Sequence, residues 1–277
     1  LWIHPKNQQE YTTRGAMKMR MTISRLKEMK TNGEKIPMMT AYDYTSARLL
    51  ESAGIPIILV GDSLGQVVLG YDSTIPVTMD DILHHLKAVA RGVEKAHIVA
   101  DMPFMSYQAD PKEAIRNAGS LIKDGGAQSI KVEGGQHITN TVKYIVDVGI
   151  PVMGHIGLTP QAINQLSGYS IQGKTPETAE KLMSDAFALE KAGAYAIVLE
   201  LVPDELAKEI TGNLSIPTIG IGAGNDCDGQ VQVFHDLLGL FTDFVPKHVK
   251  RYSNLANVIK SGIDEYISDV QTGELYT

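Results

Sequence analysis

Short apolar runs that end in a charged or hydroxyl group recur along the chain. The clearest is Ile57-Ile58-Leu59-Val60, which passes through Gly61 to Asp62 and Ser63. The pattern returns in His97-Ile98-Val99-Ala100-Asp101, Ile130-Lys131-Val132-Glu133, Val152-Met153-Gly154-His155 and Ile197-Val198-Leu199-Glu200. A parallel strand covered on both faces reads as such a continuous Val/Ile/Leu run. Polar groups at the C-terminal ends of parallel strands face the space where α/β proteins place their sites.

Between the runs, apolar residues follow helical spacing. Thr78 reads as the N-cap of a helix with an acidic first turn (Asp80, Asp81) and an apolar face of Ile82, Leu83, Leu86, Val89 and Ala90. Similar patterns cover Ser24 to Lys35, Pro111 to Gly125, Ile138 to Val148 and Glu177 to Ala192. Leu49-Leu50-Glu51-Ser52-Ala53-Gly54 reads as a helix end with a glycine cap. Ile-Pro pairs at residues 36, 55, 150 and 216 mark strand starts, because proline lacks the ladder donor and is tolerated at a strand's first residue. Strands are therefore expected near 36–42, 55–61, 97–102, 129–133, 150–156, 194–201 and 216–221, with an eighth, more weakly patterned, around Phe241 to Val245.

Strand and helix in regular alternation imply right-handed crossovers and a parallel sheet. Eight units predict an α/β protein with a (β/α)8 TIM barrel, and a doubly wound open sheet is the alternative. No change of composition marks a second domain, so residues 21–277 read as one catalytic barrel. Residues 1–20 read as a leader or expression-derived extension, poorly ordered, with Met17, Met19 and Met21 as candidate natural starts. The stretch Gly157 to Thr175, rich in Gly, Gln and Ser, falls after the fifth strand and reads as a lid.

The chain has 277 residues, 43% of them hydrophobic, enough for the large core of a barrel of about 250 residues. A net charge of −7 without a basic stripe argues against a nucleic-acid partner. No apolar run approaches the ~20 residues of a membrane helix. The single cysteine, Cys227, forms no internal disulfide, which points to a reducing, cytoplasmic location.

The strand ends carry the candidate chemistry. Asp62 and Asp101 close adjacent strands, and two carboxylates in an apolar mouth stay ionised at low cost only with a cation between them. Hard oxygen ligands select Mg²⁺ or Mn²⁺ over zinc. The competing reading makes each Asp the N-cap of the next helix. Lys131 and Glu133 share one face of their strand by period-two alternation. Lys131 suits a substrate carboxylate, and Glu133 suits a third, water-mediated metal ligand; a structural ion pair is the alternative. Glu200 has only apolar neighbours in sequence, surroundings that raise a carboxyl pKa and make a general base. His155 either binds substrate or is a satisfied core histidine. Ile219-Gly220-Ile221-Gly222-Ala223-Gly224 permits close backbone approach to a ligand or tight packing at the rim, and it lacks the Lys and Ser/Thr of a nucleotide loop. Cys227 has no basic neighbour to activate it as a nucleophile.

With Thr40-Ala41-Tyr42-Asp43-Tyr44, Val60-Gly61-Asp62-Ser63-Leu64-Gly65, Ala100-Asp101-Met102-Pro103-Phe104, Lys131-Val132-Glu133-Gly134-Gly135, Gly154-His155-Ile156-Gly157-Leu158-Thr159-Pro160, Gly220-Ile221-Gly222-Ala223-Gly224 and Asp228-Gly229-Gln230, the chain resembles the ketopantoate (3-methyl-2-oxobutanoate) hydroxymethyltransferase family. The resemblance runs from about Met38 to about Asp269. It implies a barrel of the phosphoenolpyruvate/pyruvate-binding type, and in bacterial members a decamer of five dimers. It implies one Mg²⁺ per subunit at Asp62 and Asp101 with Glu133 contributing, and a 2-oxo acid against Asp62, Ser63, Asp101 and Lys131, with His155 a further candidate contact. Glu200 becomes the proton acceptor. The implied reaction moves a hydroxymethyl group from 5,10-methylenetetrahydrofolate to 3-methyl-2-oxobutanoate through a Mg-stabilised enolate, giving 2-dehydropantoate for pantothenate and coenzyme A synthesis. A lyase or mutase of the same superfamily is the rival enzyme, and a non-catalytic metabolite-binding barrel is the rival from another class.

Overall fold

In the computed structural model, which describes residues 20–166, 168–246 and 249–276, eight parallel strands close into one barrel in sequence order. They are β1 (Ile36–Thr40), β2 (Ile57–Val60), β3 (His97–Asp101), β4 (Ser129–Glu133), β5 (Val152–Gly157), β6 (Ala196–Glu200), β7 (Thr218–Ile221) and β8 (Gly229–Gln232). Six of them lie within the stretches that the apolar runs predict, and β5 runs one residue past its stretch, to Gly157. The N-terminal extension, apart from Arg20, falls outside the described residues.

The eighth strand is a correction. Phe241 to Val245 forms no strand, and Phe244 and Val245 are exposed. The barrel closes instead through Gly229–Gln232, paired with β1 and β7. Only Gly229 and Val231 of this segment are buried, while Gln230 and Gln232 are partly exposed, so no apolar run announces it.

Around the barrel run α1 (Ile23–Thr31), α2 (Tyr44–Ala53), the short α3 (Leu64–Val67), α4 (Met79–Gly92), α5 (Pro111–Lys123), α6 (Thr139–Asp147), the short α7 (Ile163–Leu166), α8 (Pro176–Lys191), α9 (Asp204–Asn213), the short α10 (Phe234–Leu237) and α11 (Leu255–Thr272). Local chemistry sets the ends. The Thr78 hydroxyl accepts from Asp81 N while the Asp81 carboxylate accepts from Thr78 N, a capping box that starts α4. Gly54 ends α2 at φ +81°, a conformation that glycine adopts without strain.

Two layers of core hold the barrel. Outward-facing strand residues such as Ile58, Ile98, Ile130 and Ile197 pack under the helices with Ile82, Leu86, Leu121 and Leu189. The interior holds Ile36, Met38, Ile57, Leu59, Val99, Met153, Val198, Ile219 and Val231, and Leu26 and Met29 of α1 join that cluster.

A polar group lies buried beside this second cluster. His97 Nδ1 faces Met21 O at 3.3 Å and Nε2 meets the Ser129 hydroxyl at 2.9 Å, which is in turn 2.9 Å from the Tyr195 hydroxyl. Burial pushes His97 down to about 4, against the opposing pull of the Met21 carbonyl. The folded-state value lies below the ordinary 6.5, so the stabilisation is complete above pH 6.5 and is lost as pH falls towards 4. Urea unfolding should lose about 3 kcal/mol across that window from this group. A His97→Asn variant should show a shallower acid slope there, and an identical slope contradicts the assignment.

Candidate active site

Strand register gathers the acidic and basic strand ends into one mouth. Asp101 pairs with Lys131 between β3 and β4, Glu133 with His155 between β4 and β5, and Gly157 with Glu200 between β5 and β6. Period-two alternation points Asp101, Lys131, Glu133, His155 and Glu200 inward. Asp62 follows β2 through Gly61, whose missing side chain leaves space between the Ser63 hydroxyl and the Asp101 carboxylate.

The contacts run across the mouth. Asp101 Oδ2 accepts from the backbone N of Asp62 at 2.9 Å, and Lys131 Nζ lies 2.8 Å from Asp101 Oδ1 and 3.7 Å from Glu133 Oε1. His155 Nδ1 stands 3.3 Å from Glu133 and its Nε2 3.3 Å from Glu200; the latter is an ion-pair contact without hydrogen-bond alignment. These side-chain contacts leave the N-cap reading of the two aspartates without support, since α5 is capped by Asp110 and the side chain of Ser63, the residue preceding α3, makes no cap bond. Glu200 is not isolated: it borders His155, and with its side chain 16% exposed it is the most open member of the cluster. Ser63 sits at the edge, its hydroxyl 2.8 Å from that of Tyr42.

Electrostatics in this buried group are tightly coupled. Burial pushes the Asp62 carboxyl well above its usual range, the charges of Asp101 and Glu133 add to that, and Lys131 and Gln161 offset part of it. Burial also raises Asp101, against the opposing effect of Lys131. Burial works to raise Glu133, but His155, Lys131 and the Gln161 N–H outweigh it and leave it lowered. Burial and Lys131 both pull His155 down, yet Glu133 and Glu200 prevail and hold it at about 9. Lys131 stays above its ordinary range because Asp101, Glu133 and Asp62 together exceed its desolvation.

Several members of the site carry no signal in the strand pattern. Gln161 donates from Nε2 to Asp62 Oδ2 at 2.9 Å and to Met102 O at 3.0 Å, and its backbone N donates to Glu133 Oε2 at 3.0 Å. Tyr107, buried, places its hydroxyl 2.9 Å from Gln161 Oε1 and from the backbone of Glu133. Tyr169, half-exposed on the loop after β5, lies within electrostatic reach of Glu200, Asp62 and Glu133. Their nearest sequence signal is Leu158-Thr159-Pro160, which runs directly into Gln161. The loop itself is not wholly irregular, since a 3-10 turn at Pro160–Ala162 leads into α7.

The glycine run at the end of β7 is tightly packed on one side. A side chain at Gly220 would crowd Cys227 Sγ and Gln230, and one at Gly224 would crowd Asp204. Cys227 is buried and burial raises its thiol, so it stays protonated. Gly222, Ala223 and Gly224 also border a groove of about 740 Å³, lined in addition by Pro37, Met39 and Leu237. It contains none of the clustered strand-end groups, and the chemistry belongs to the buried acidic mouth.

Barrel and site together define a class, the (β/α)8 barrels with charged strand ends gathered at one mouth. The fold matches solved structures of that class: a phosphonopyruvate hydrolase complexed with oxalate and Mg²⁺ (TM-score 0.62, 15% identity, 93% of this chain and 89% of that one) and 2,3-dimethylmalate lyase, a PEP mutase/isocitrate lyase superfamily member (TM-score 0.58, 15% identity, 94% and 91%). A sequence model described as ketopantoate hydroxymethyltransferase matches residues 20–275. The 3-methyl-2-oxobutanoate hydroxymethyltransferase of Dehalococcoides mccartyi is 63% identical over 259 residues, covering 94% of this chain and 93% of the relative. That of Chloroflexus aurantiacus is 56% identical over 255 residues, covering 92% and 90%. The chain belongs to the ketopantoate hydroxymethyltransferase family and is an enzyme.

Proposed function

We propose that this enzyme transfers a hydroxymethyl group from 5,10-methylenetetrahydrofolate to 3-methyl-2-oxobutanoate, giving 2-dehydropantoate for pantothenate and coenzyme A synthesis in the cytoplasm. The observation that carries the reading is Glu200 at the open edge of a buried cluster of Asp62, Asp101, Lys131, Glu133 and His155. A base and a charge-binding site in one mouth suit proton removal next to a carbonyl.

The donor set suits Mg²⁺. Three buried carboxylates face two cationic groups, and Asp101 Oδ1 receives no aligned hydrogen bond. Among the described residues no three His, Cys, Asp or Glu side chains already converge as a ligand set. Mg²⁺ is usually held by one or two carboxylates, with water or substrate oxygens completing its shell. Asp62 and Asp101 are the residues that would hold it, one ion per subunit, with Glu133, both of whose oxygens face protein donors, contributing through water. Such an ion would supply Lewis-acid stabilisation of the negative charge that develops as the substrate loses its C3 proton.

The chain's own residues do the rest. Lys131 offsets the substrate carboxylate, and the Ser63 hydroxyl hydrogen-bonds it. His155 orients Glu200 by their contact at 3.3 Å. Glu200 takes the C3 proton, leaving C3 to form a bond to the one-carbon unit of the folate; one water is consumed, its oxygen becoming the hydroxyl of the transferred group, as both C–N bonds of the methylene break and tetrahydrofolate leaves with its N–H protons restored. Burial of the cluster keeps bulk water from competing with these fixed charges.

Incubation with 3-methyl-2-oxobutanoate, 5,10-methylenetetrahydrofolate and Mg²⁺ tests the reading. It predicts stoichiometric tetrahydrofolate and 2-dehydropantoate. Cleavage of phosphonopyruvate or oxaloacetate without folate-dependent product would show a hydrolase or lyase instead.

The enzyme acts as a homo-oligomer, a decamer of five dimers. Supporting this, α11 has no buried residue, and Val258, Ile259, Ile263, Tyr266, Ile267 and Val270 are each at least 45% exposed along one face. A contiguous exposed apolar face of this kind marks a protein contact. Sedimentation should give an oligomer for the wild type and smaller species for Ile263→Asp/Ile267→Asp. A wild-type monomer contradicts it.

A further inference from the structure

The loop after β5 reaches the acidic cluster through one side chain. Gln161 is 5% exposed and uses its full hydrogen-bonding capacity. Its two N–H groups go to Asp62 Oδ2 and Met102 O, and its Oε1 receives the Tyr107 hydroxyl at 2.9 Å and Gln108 Nε2 at 3.3 Å. The amide orientation is fixed by the Met102 carbonyl, which can only accept and so must face Nε2. Its backbone N–H adds Glu133 Oε2 at 3.0 Å. One residue of the 3-10 turn Pro160–Ala162 therefore joins the ends of β2, β3 and β4 to the loop.

We infer that Gln161 is a positioning residue that makes docking of the 158–166 segment and alignment of Asp62 and Glu133 a single event. The physical reason is reciprocity. Segment 158–166 docks by giving N–H groups to Asp62 and Glu133, and those carboxylates keep their rotamers because the segment is docked. Coupling of this kind acts equally in both directions. A Gln161 that merely filled space would tie the loop down regardless of what happened to Asp62.

The inference rests on the proposed role of Asp62 only for its consequence in substrate binding; the coupling itself is read without substrate. Hydrogen exchange of the metal-free protein provides that readout. Gln161→Met keeps the volume and removes every side-chain hydrogen bond, and Asp62→Ala removes one acceptor outside the loop. Asp62→Ala should speed exchange in 158–166 about tenfold, the effect of losing one net hydrogen bond of roughly 1.4 kcal/mol, and Gln161→Met at least as much, while β6 and β7 keep wild-type protection. Wild-type exchange in 158–166 for Asp62→Ala overturns the coupling, even if Gln161→Met proves unstable.

A second measurement separates positioning from structure. Calorimetric titration with 3-methyl-2-oxobutanoate and Mg²⁺ should give a dissociation constant about tenfold weaker for Gln161→Met and for Tyr107→Phe, which disturbs the amide without touching Asp62. Unchanged affinity in both overturns the positioning role. If wild-type protein fails to form 2-dehydropantoate yet the loop responds to Asp62→Ala, the functional reading falls and this one stands.

Discussion

Replacing Glu200 by Gln should lower kcat by about 10²–10⁴-fold while the protein still binds 3-methyl-2-oxobutanoate. The range is that of general-base catalysis, since the amide keeps the shape and loses the basic oxygen. Binding should survive because the proposed function assigns the oxo acid to Asp62, Asp101 and Lys131, and Glu200 sits at the edge of the cluster with its side chain partly exposed. The fold should survive too, because a partly exposed side chain that contacts His155 Nε2 at 3.3 Å carries little of the core. Stopped-turnover assays paired with calorimetry decide it. Full turnover removes Glu200 from the chemistry, and loss of binding together with activity makes it a substrate contact instead.

Lys131→Met should be the most destabilising single change in the site. The side chain is buried, 2.8 Å from Asp101 and 3.7 Å from Glu133, with Asp62 also within its field. Removing one partner of a buried charge network leaves the others uncompensated, a loss of about 3–5 kcal/mol. Asp62, already pushed up by burial and by Asp101 and Glu133, loses the cation that offsets them. The pH dependence has a definite sign. In the variant the Asp62 and Asp101 carboxyls, already raised, lie further above their unfolded values, so stability is kept below the unfolded pKa and lost as pH rises through the raised ones. The deficit should therefore be smaller at pH 5 than at pH 8 in urea titrations. An equal deficit at both values would show that lost packing, not lost charge, is the cause.

The parts of this enzyme legible in its sequence are those encoded by strand burial. β2 to β6 announce themselves because both faces are covered, so apolar residues dominate each run while charged or imidazole groups stand at or near its C-terminal end. The polar residues at those ends converge as closure of the barrel requires. β8 is silent because Gln230 and Gln232 are only partly buried and just Val231 carries an apolar side chain inward, whereas Phe241 to Val245 has the apolar content and forms no strand. The pairing of His155 with Glu200 depends on the register between β5 and β6, in which Gly157 lies beside Glu200. A side chain at Gly157 would strike the Glu200 carbonyl and Val202, so the glycine is part of that register. Gln161 is hidden for a different reason. An uncharged amide in a Gly- and Gln-rich loop has no pattern of its own, and its partners Asp62 and Glu133 stand 99 and 28 residues away.

The proposed chemistry needs the acidic mouth to make a C3 proton removable by Glu200. Proton NMR of 3-methyl-2-oxobutanoate in deuterated buffer measures this directly. Wild-type enzyme with Mg²⁺, and without any folate, should wash out the C3 proton signal, and Glu200→Gln should not. Retention of that proton by the wild type, or equal loss in the variant, would contradict it.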